Sequence, residues 1–477
     1  MSIHIASEWI QRDETIEVLN KFDGSVIDEV TRATREDVDR AIEAANDAKD
    51  TMASMPAHER ASILRETSRL IDERKDEFAE VMAAEAGKPI ETARGEVGRA
   101  VSTFQLSAGE AERLSGEEIP IDAQPGNGNR LAFTKRFPVG VVGAISPFNF
   151  PLNLVAHKLG PAFAGGNTVV HKPATTTPLT AVKLAETLFE AGLPRDALNL
   201  VIGSGSTVGE ALLDSDDIDH YSFTGSRAIG KRIKERSGLA GVSLELGNNS
   251  PAIVHEDAPD IADAASRIID GAFSYGGQMC ISTQRILVHE SRHDELLDEL
   301  VSQASELVVG DPLEEDTDVG PLISEDDAER IIEWVESAKE DGATVEFGGT
   351  RDGAVVQPTI VDGATQEMDV VCQEAFAPVI AVQTYEDLST AIELADDSPY
   401  GLQAGIFTAS HDVGLTAAMN IECGGVMIND IPTFRADQQP YGGAKESGIG
   451  REGPKYAIEE LTEERVICFR PTSDLSI

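Results

Sequence analysis

At 477 residues the chain exceeds one ordinary hydrophobic core, so two or three domains are expected. Its 84 Asp and Glu against 39 Lys and Arg give a net charge of −45, which excludes nucleic acid and anionic membrane surfaces as partners. No apolar run is long enough to span a bilayer, no signal peptide opens the chain, and 4 scattered cysteines without a Cys-x-x-Cys pair exclude a disulfide framework or zinc site. A reducing cytoplasm is the expected compartment. The acidic residues are spread over many segments and the hydrophobic content is 41%, so the charge does not belong to a disordered tail. A folded protein adapted to high salt, where screening weakens self-repulsion, is the reading.

In chain order, residues 1 to 33 alternate short apolar pairs with turns and predict a β-ribbon. Thr34 opens a helix with Asp37 as the reciprocal partner of a capping box, and Val38, Ala41, Ile42, Ala45 and Ala48 form its apolar stripe. One longer helical region is expected from Pro56 to Glu85, stopped by Gly87-Lys88-Pro89, and another from Ile90 to Leu114. Glu117 to Phe137 reads as a hairpin. From Pro138 strands and helices alternate: strands at 139–145, 168–171, 199–202 and 220–223, helices at 155–164 and 180–191. That alternation predicts a parallel sheet with ligands at its carboxyl edge. A second α/β pattern begins after Pro251, with a strand at 252–255, a helix at 261–273, a strand at 285–289 and helices at 293–307 and 325–340.

Phosphate contact is best placed at Thr224-Gly225-Ser226, where a helix begins and its N–H groups and dipole favour an anion. The glycines of Gly203-Ser-Gly205-Ser-Thr-Val-Gly209 make a weaker candidate. The chemistry gathers on Phe273-Ser-Tyr-Gly-Gly-Gln-Met-Cys280: two glycines end a helix and present a thiol. Cys468, in an apolar run, suits a buried filler instead. Glu245, between leucines at the end of a strand, is placed to be a base with a raised pKa. Asn149, fixed between prolines and aromatics, has an amide able to donate to an oxyanion.

Cys, Glu and Asn in these three frames resemble the NAD(P)-dependent aldehyde dehydrogenase superfamily, from the region of Asn20 to the C-terminus. The resemblance implies a Rossmann-like cofactor domain (1–116 and 138–248), an α/β catalytic domain (249–447) and an oligomerisation arm made of the β-hairpin 117–137 with the C-terminal strand segment 448–477. It implies a homodimer or homotetramer acting on a small-molecule aldehyde, with no metal. Cys280 becomes the nucleophile, Asn149 the oxyanion donor, and Glu245 the base that activates water for thioester hydrolysis. Acyl-transferring relatives typically lack this glutamate, and a scaffold that had lost activity would lack one of the three.

His171-Lys172-Pro173-Ala174 matches the segment whose lysine holds the adenosine ribose. Gln373-Glu374-Ala-Phe376-Ala377-Pro378 resembles the family's Glu-x-Phe-Gly-Pro, which gives Glu374 the nicotinamide ribose and Phe376 the ring, with Ala377 in place of glycine. Pro147, Phe148, Gly225 and Ser226 border the same cofactor. Thr175 stands where NAD-specific relatives often carry a glutamate, so NADP+ is expected to be accepted beside NAD+, with the Thr175 hydroxyl as a donor to the 2′-phosphate. Phe150, Met279 and Ile281 give apolar substrate walls, and Met279 replaces the arginine of relatives that take glyceraldehyde-3-phosphate. Arg435 lies on the loop bordering the substrate mouth, placed to read a carboxylate or hydroxyl. The segment from Tyr441 to Arg451 matches the family's terminal signature, read as structural.

Overall fold

The computed structural model describes residues 1–470; the expectation for 471–477 lies outside the described residues. Two sheets dominate. The first has eight strands in the spatial order Glu8–Ile10, Ile3–Ile5, Leu198–Leu200, Thr168–Lys172, Val141–Ile145, His220–Thr224, Gly241–Glu245 and Gly448–Ile449. Its five central strands run parallel, with antiparallel strands at both edges. The strand order reverses between Val141–Ile145 and His220–Thr224, and the loops leaving these two strands carry Asn149 and Gly225-Ser226. Ligands of doubly wound sheets settle at such a point.

The second sheet has seven strands, ordered Thr344–Phe347, Thr359–Asp362, Val379–Tyr385, Arg285–His289, Pro251–Val254, Gln403–Phe407 and Gly425–Ile428, all parallel except the first. Only residues 246–250 separate the last residue of one sheet's strand, Glu245, from the first of the other's, Pro251. The carboxyl edge of the first sheet therefore faces the amino edge of the second, from which Cys280 and Glu374 enter just ahead of their strands.

Local chemistry accounts for these boundaries. Thr34 and Asp37 form the expected capping box of helix Arg35–Asp47, and Val38, Ala41, Ile42 and Ala45 are buried on one face. A fully buried residue of the size of Val38 or Ile42 contributes about 1.5–3 kcal/mol. Pro56 to Glu85 forms two helices rather than one, Ala57–Glu73 and Lys75–Ala86, because Arg74 leaves helical geometry at φ −108° and ψ 25°. Gly87 then ends the second at φ +69°.

The hairpin strand Leu131–Pro138 pairs with Glu118–Ile119 on one side and Thr462–Phe469 on the other, making a three-stranded arm. The arm's C-terminal part is shorter than the sequence suggested. Gly448–Ile449 pairs with Gly241–Glu245, and helix Pro454–Glu460 packs on helix Asn153–Gly165, so this stretch completes the first domain before the chain leaves for the arm. Cys468 is exposed on the arm strand, not a buried filler, because residues of that strand project from the body with no layer over them.

The few basic side chains are largely saturated by acids: Arg94 meets Glu91, Asp76 and Glu315, and Arg236 meets Glu210 and Asp214. The acidic excess is left facing like charge. Thermal melts across a potassium chloride series are expected to show a midpoint that climbs toward molar salt, where the Debye length falls to about 3 Å. A midpoint flat from dilute buffer to molar salt would remove the high-salt adaptation.

Candidate active site

The strand end at Gly241–Glu245 delivers Glu245 into the space between the sheets, where it is buried and its Oε2 has no hydrogen-bond partner among the described residues. Burial pushes its pKa well above the carboxylate range, and the neighbouring Glu452 adds to the rise against Arg435, Lys158 and Arg451. Glu452 goes the opposite way. Lys158 at 3.2 Å and Arg435 at 3.0 Å pair with it directly, so of the two coupled carboxyls Glu245 holds the proton.

Helix Ile261–Phe273 ends in three successive left-handed residues, Tyr275, Gly276 and Gly277, at φ +52°, +59° and +69°. Tyr275 tolerates this because it is anchored: its hydroxyl donates to the Ala86 carbonyl at 2.9 Å. Gly277 has no room for a side chain, since a Cβ there would lie 2.2 Å from the Ala377 carbonyl oxygen. The turn ends at Cys280, whose sulfur lies 2.9 Å from the Tyr441 hydroxyl. Burial pushes the thiol up to about 11, with Glu374 and Glu245 adding to the rise and Tyr441 and Arg435 opposing it.

Asn149 is buried and its amide donates to the Gln278 carbonyl at 2.8 Å, two residues from the thiol. A side-chain amide carries a second N–H, and the Cys280 backbone N–H bonds to no other group among the described residues, leaving two donors beside the sulfur. Glu96 steadies this loop from behind, accepting from the N–H groups of Leu152 and Asn153 at 2.9 Å each while pairing with the buried Lys88.

A cavity of about 670 Å³ runs from Cys280 along the carboxyl edge of the first sheet. Pro147, Phe148, Lys172, Gly225, Ser226, Glu374 and Phe376 line it. Glu374 accepts from the Asn248 N–H at 3.0 Å, and burial lifts its carboxyl to about 7. Gly247 makes room for it: a Cβ at that position would come within 2.4 Å of the Glu374 Oε2. Phe376 carries the positive φ of its turn, +49°, so Ala377 needs no glycine, and its ring meets Phe148 edge-on at 5.8 Å. Lys172 is lowered to about 8 by burial.

Two sequence expectations change here. Thr175 lies off the cavity lining and its hydroxyl donates to the Gly203 carbonyl at 2.9 Å, so it is not free to meet a phosphate. Gly205, Ser206 and Gly209, the weaker glycine candidate, do line the cavity, beside Glu210 and Arg232. The signal was present in their spacing, but a lone run of glycines does not say which loop it will face. The cavity is largely apolar and is bordered by the start of helix Arg227–Arg236, with Lys172 and Arg232 as the basic side chains lining it. A helix start at Ser226 and two basic side chains in a largely apolar cavity suit an elongated anionic ligand.

On the substrate side, Phe150, Tyr275 and Met279 form one apolar cluster and Ile281, Leu402 and Tyr441 another, on either side of Cys280. Arg435 is not a solvated loop charge. Its side chain is 4% exposed, its guanidinium stacks 3.6 Å from the centre of the Tyr441 ring, and its Nε has no partner among the described residues.

The aldehyde dehydrogenase family model matches residues 9–467. The chain belongs to the aldehyde dehydrogenase family. It is 48% identical to the 3-sulfolactaldehyde dehydrogenase of Priestia megaterium over 468 residues, covering 98% of this chain and 97% of that one. Among solved structures, aldehyde dehydrogenase 21 of Physcomitrella patens, in complex with the reaction product succinate, superposes with a TM-score of 0.96 at 41% identity, covering 99% of each chain. The glyceraldehyde-3-phosphate dehydrogenase GapN of Methanocaldococcus jannaschii, complexed with NADP, gives 0.93 at 41% identity, covering 97% of this chain and 100% of that one. This dehydrogenase is an NAD(P)-dependent oxidoreductase with the Rossmann-type and catalytic domains of its relatives, and it follows the family's chemistry, in which a cysteine nucleophile takes the aldehyde. No helix among the described residues is long and apolar enough to cross a membrane.

Proposed function

We propose that the enzyme oxidises a short aldehyde carrying an anionic group, a hydroxyaldehyde or semialdehyde, to the corresponding acid. Arg435 is the observation that carries this reading: a buried cation two contacts from the nucleophile, with one N–H of its guanidinium unspent. Arg99 lies beside the Phe150 wall, 6.0 Å from the ring centre, with its charge paired to Asp437 at 2.8 Å. The three relatives named above point the same way, since sulfolactaldehyde, succinate and glyceraldehyde-3-phosphate all bear an acidic group. Met279, in the place of an arginine, favours a carboxylate or sulfonate over a phosphate.

In this reading Cys280 attacks the carbonyl carbon and the second N–H of Asn149, with the Cys280 backbone N–H, receives the oxyanion. One such donor is worth about 2.7–4 kcal/mol of barrier. NAD(P)+, held against Glu374 and Phe376, would supply the hydride acceptor. Glu374 orients the nicotinamide ribose, Phe148 and Phe376 exclude water from that end of the cavity, and Glu245 takes a proton from the water that hydrolyses the thioester. Arg232 and Lys172 supply the positive charge at the adenosine end, where a 2′-phosphate would sit. The enzyme works in the cytoplasm as a homodimer or homotetramer. Leu131, Phe133, Val466 and Phe469 on the projecting arm support assembly, being large apolar side chains left exposed in the single chain.

The test is a panel of aldehydes matched in length, with sulfonate, carboxylate, phosphate or neutral ends, compared by kcat/KM for wild type and Arg435→Met. Wild type is expected to favour the carboxylate or sulfonate aldehydes, and the variant to lose about tenfold to a hundredfold of that preference relative to the neutral ones, the worth of a charge-assisted hydrogen bond. Equal loss on neutral and anionic aldehydes would remove Arg435 as the reader of the anion.

A further inference from the structure

Tyr441 belongs to a segment that sequence reasoning treats as scaffold, yet its hydroxyl stands 2.9 Å from the Cys280 sulfur, and that sulfur is its hydrogen-bond partner among the described residues. The ring is held from several sides. Its residue is 2% exposed, its backbone N–H donates to the Glu452 carbonyl at 3.1 Å, and the Glu452 N–H donates back at 2.6 Å. The guanidinium of Arg435 covers one face of the ring, itself fixed by Glu452, whose other oxygen meets Lys158. A phenol placed this firmly against a sulfur is not free to turn elsewhere.

We propose that the Tyr441 hydroxyl is a catalytic hydrogen-bond donor that stabilises the Cys280 thiolate and keeps the sulfur aimed into the cavity. The proposal rests on Cys280 being the nucleophile. The charges around the sulfur favour such a donor. Facing the thiol are Tyr441, Arg435, Glu374 and Glu245; facing Tyr441 are the thiol, Arg435 and Glu245; facing Arg435 are also Glu452 and Asp437. The two glutamates oppose a negative sulfur whenever they are ionised, and the charge of Arg435 is shared with Glu452. A neutral donor that keeps its own proton is then the direct way to hold a thiolate. Burial and the adjoining thiol and carboxylate keep the phenol protonated well beyond its ordinary range, so toward a thiolate it acts as donor. In the step itself, the S–H bond breaks and its proton leaves to water in the cavity while Tyr441 retains its O–H. The sulfur lone pair then forms the bond to the aldehyde carbon, the carbonyl π pair moves onto oxygen, and the bond from Tyr441 slackens as charge leaves the sulfur.

Tyr441→Phe keeps the ring under Arg435 and removes only the oxygen. The readout is the rate at which iodoacetamide alkylates Cys280 in the holoenzyme, located by mass spectrometry and followed from neutral to strongly alkaline pH. The apparent thiol pKa is expected to rise by about one unit, leaving about tenfold less thiolate at neutral pH. The pre-steady-state burst of reduced cofactor should slow by the same factor at neutral pH and rejoin wild type once both thiols are ionised, with cofactor Kd and thioester hydrolysis unmoved. Incorporation of 3-fluorotyrosine at position 441, a near-isosteric and more acidic donor, should shift the thiol the other way and serves if the phenylalanine variant folds poorly. An unchanged thiol titration in both variants, or a burst deficit equal at every pH, overturns the proposal. Alkylation reads the hydrogen bond without catalysis, so a failure of Cys280 as nucleophile, shown by an active Cys280→Ala, is a separate result.

Discussion

Cys280→Ala is expected to lower aldehyde oxidation by about a thousandfold or more while cofactor still binds. The asymmetry follows from the cavity. Cys280 touches one end of it, whereas Phe148, Lys172, Gly225, Ser226 and Glu374 line the rest and are untouched by the change. Alanine also removes the sulfur that the Tyr441 hydroxyl meets among the described residues, while the Tyr441 backbone stays held by its two bonds with Glu452. Turnover is read by absorbance of reduced cofactor, and binding by quenching of protein fluorescence. A variant that retains more than a few per cent of wild-type rate would place the nucleophile elsewhere; Cys423, turned toward the Gly425 carbonyl at 3.2 Å, is in no position to replace it.

Glu245→Gln is expected to separate the two halves of the reaction. Hydride transfer needs the thiolate and the oxyanion donors, and neither is Glu245. Hydrolysis of the thioester needs a base for water, and a glutamine has none. Rapid mixing should therefore give about one equivalent of reduced cofactor and then a turnover slower by about a hundredfold or more, the usual worth of general-base assistance. Glutamine is close in shape, so the burst should keep nearly its wild-type rate. The pH dependence carries a second sign. The Glu245 carboxyl is raised above its ordinary range by burial and by Glu452, so the ionised, competent fraction grows as pH rises through that elevated value. Wild-type steady-state turnover should climb with pH in that window, and the residual turnover of Glu245→Gln should lack the climb. Multiple turnovers at wild-type rate in the variant would end this role for Glu245.

The residues most legible from sequence were those whose chemistry is written in their immediate neighbours. Two glycines before a cysteine, a carboxylate closing an apolar strand and a Gly-Ser helix start all declare themselves within a few positions, and each arrives where it was expected. Legibility failed where the partner is distant along the chain. Tyr441 and Cys280 are 161 residues apart, and nothing local to either names the other. Arg435 was placed at the substrate mouth by its family position, but nothing local announces that Tyr441 and Glu452, 17 residues on, bury it. Thr175 was read by its family position, and its hydroxyl went instead to the Gly203 carbonyl, an acceptor no pattern announces. The return of Gly448–Ile449 to the first sheet failed for the same reason: a two-residue strand carries no periodicity, and only the exposed edge of Gly241–Glu245 explains it.

The meeting of one sheet's carboxyl edge with the other's amino edge has a consequence for how this protein can be changed. The cavity lining comes mainly from loops that leave strands of the first sheet, while the thiol and the apolar walls beside it arrive on segments that lead into the second. In the proposed function, coenzyme choice and substrate choice are therefore largely separable, written on different sides of one gap that the chain crosses at residues 246–250 and again between 428 and 448. A loop transplant at 203–210 or 225–232 would retune the electron acceptor while leaving the nucleophile's frame in place, and changes near 430–441 would retune the substrate without disturbing the acceptor. Gly247, within the first of those crossings, is where an added methyl would come within 2.4 Å of the Glu374 Oε2.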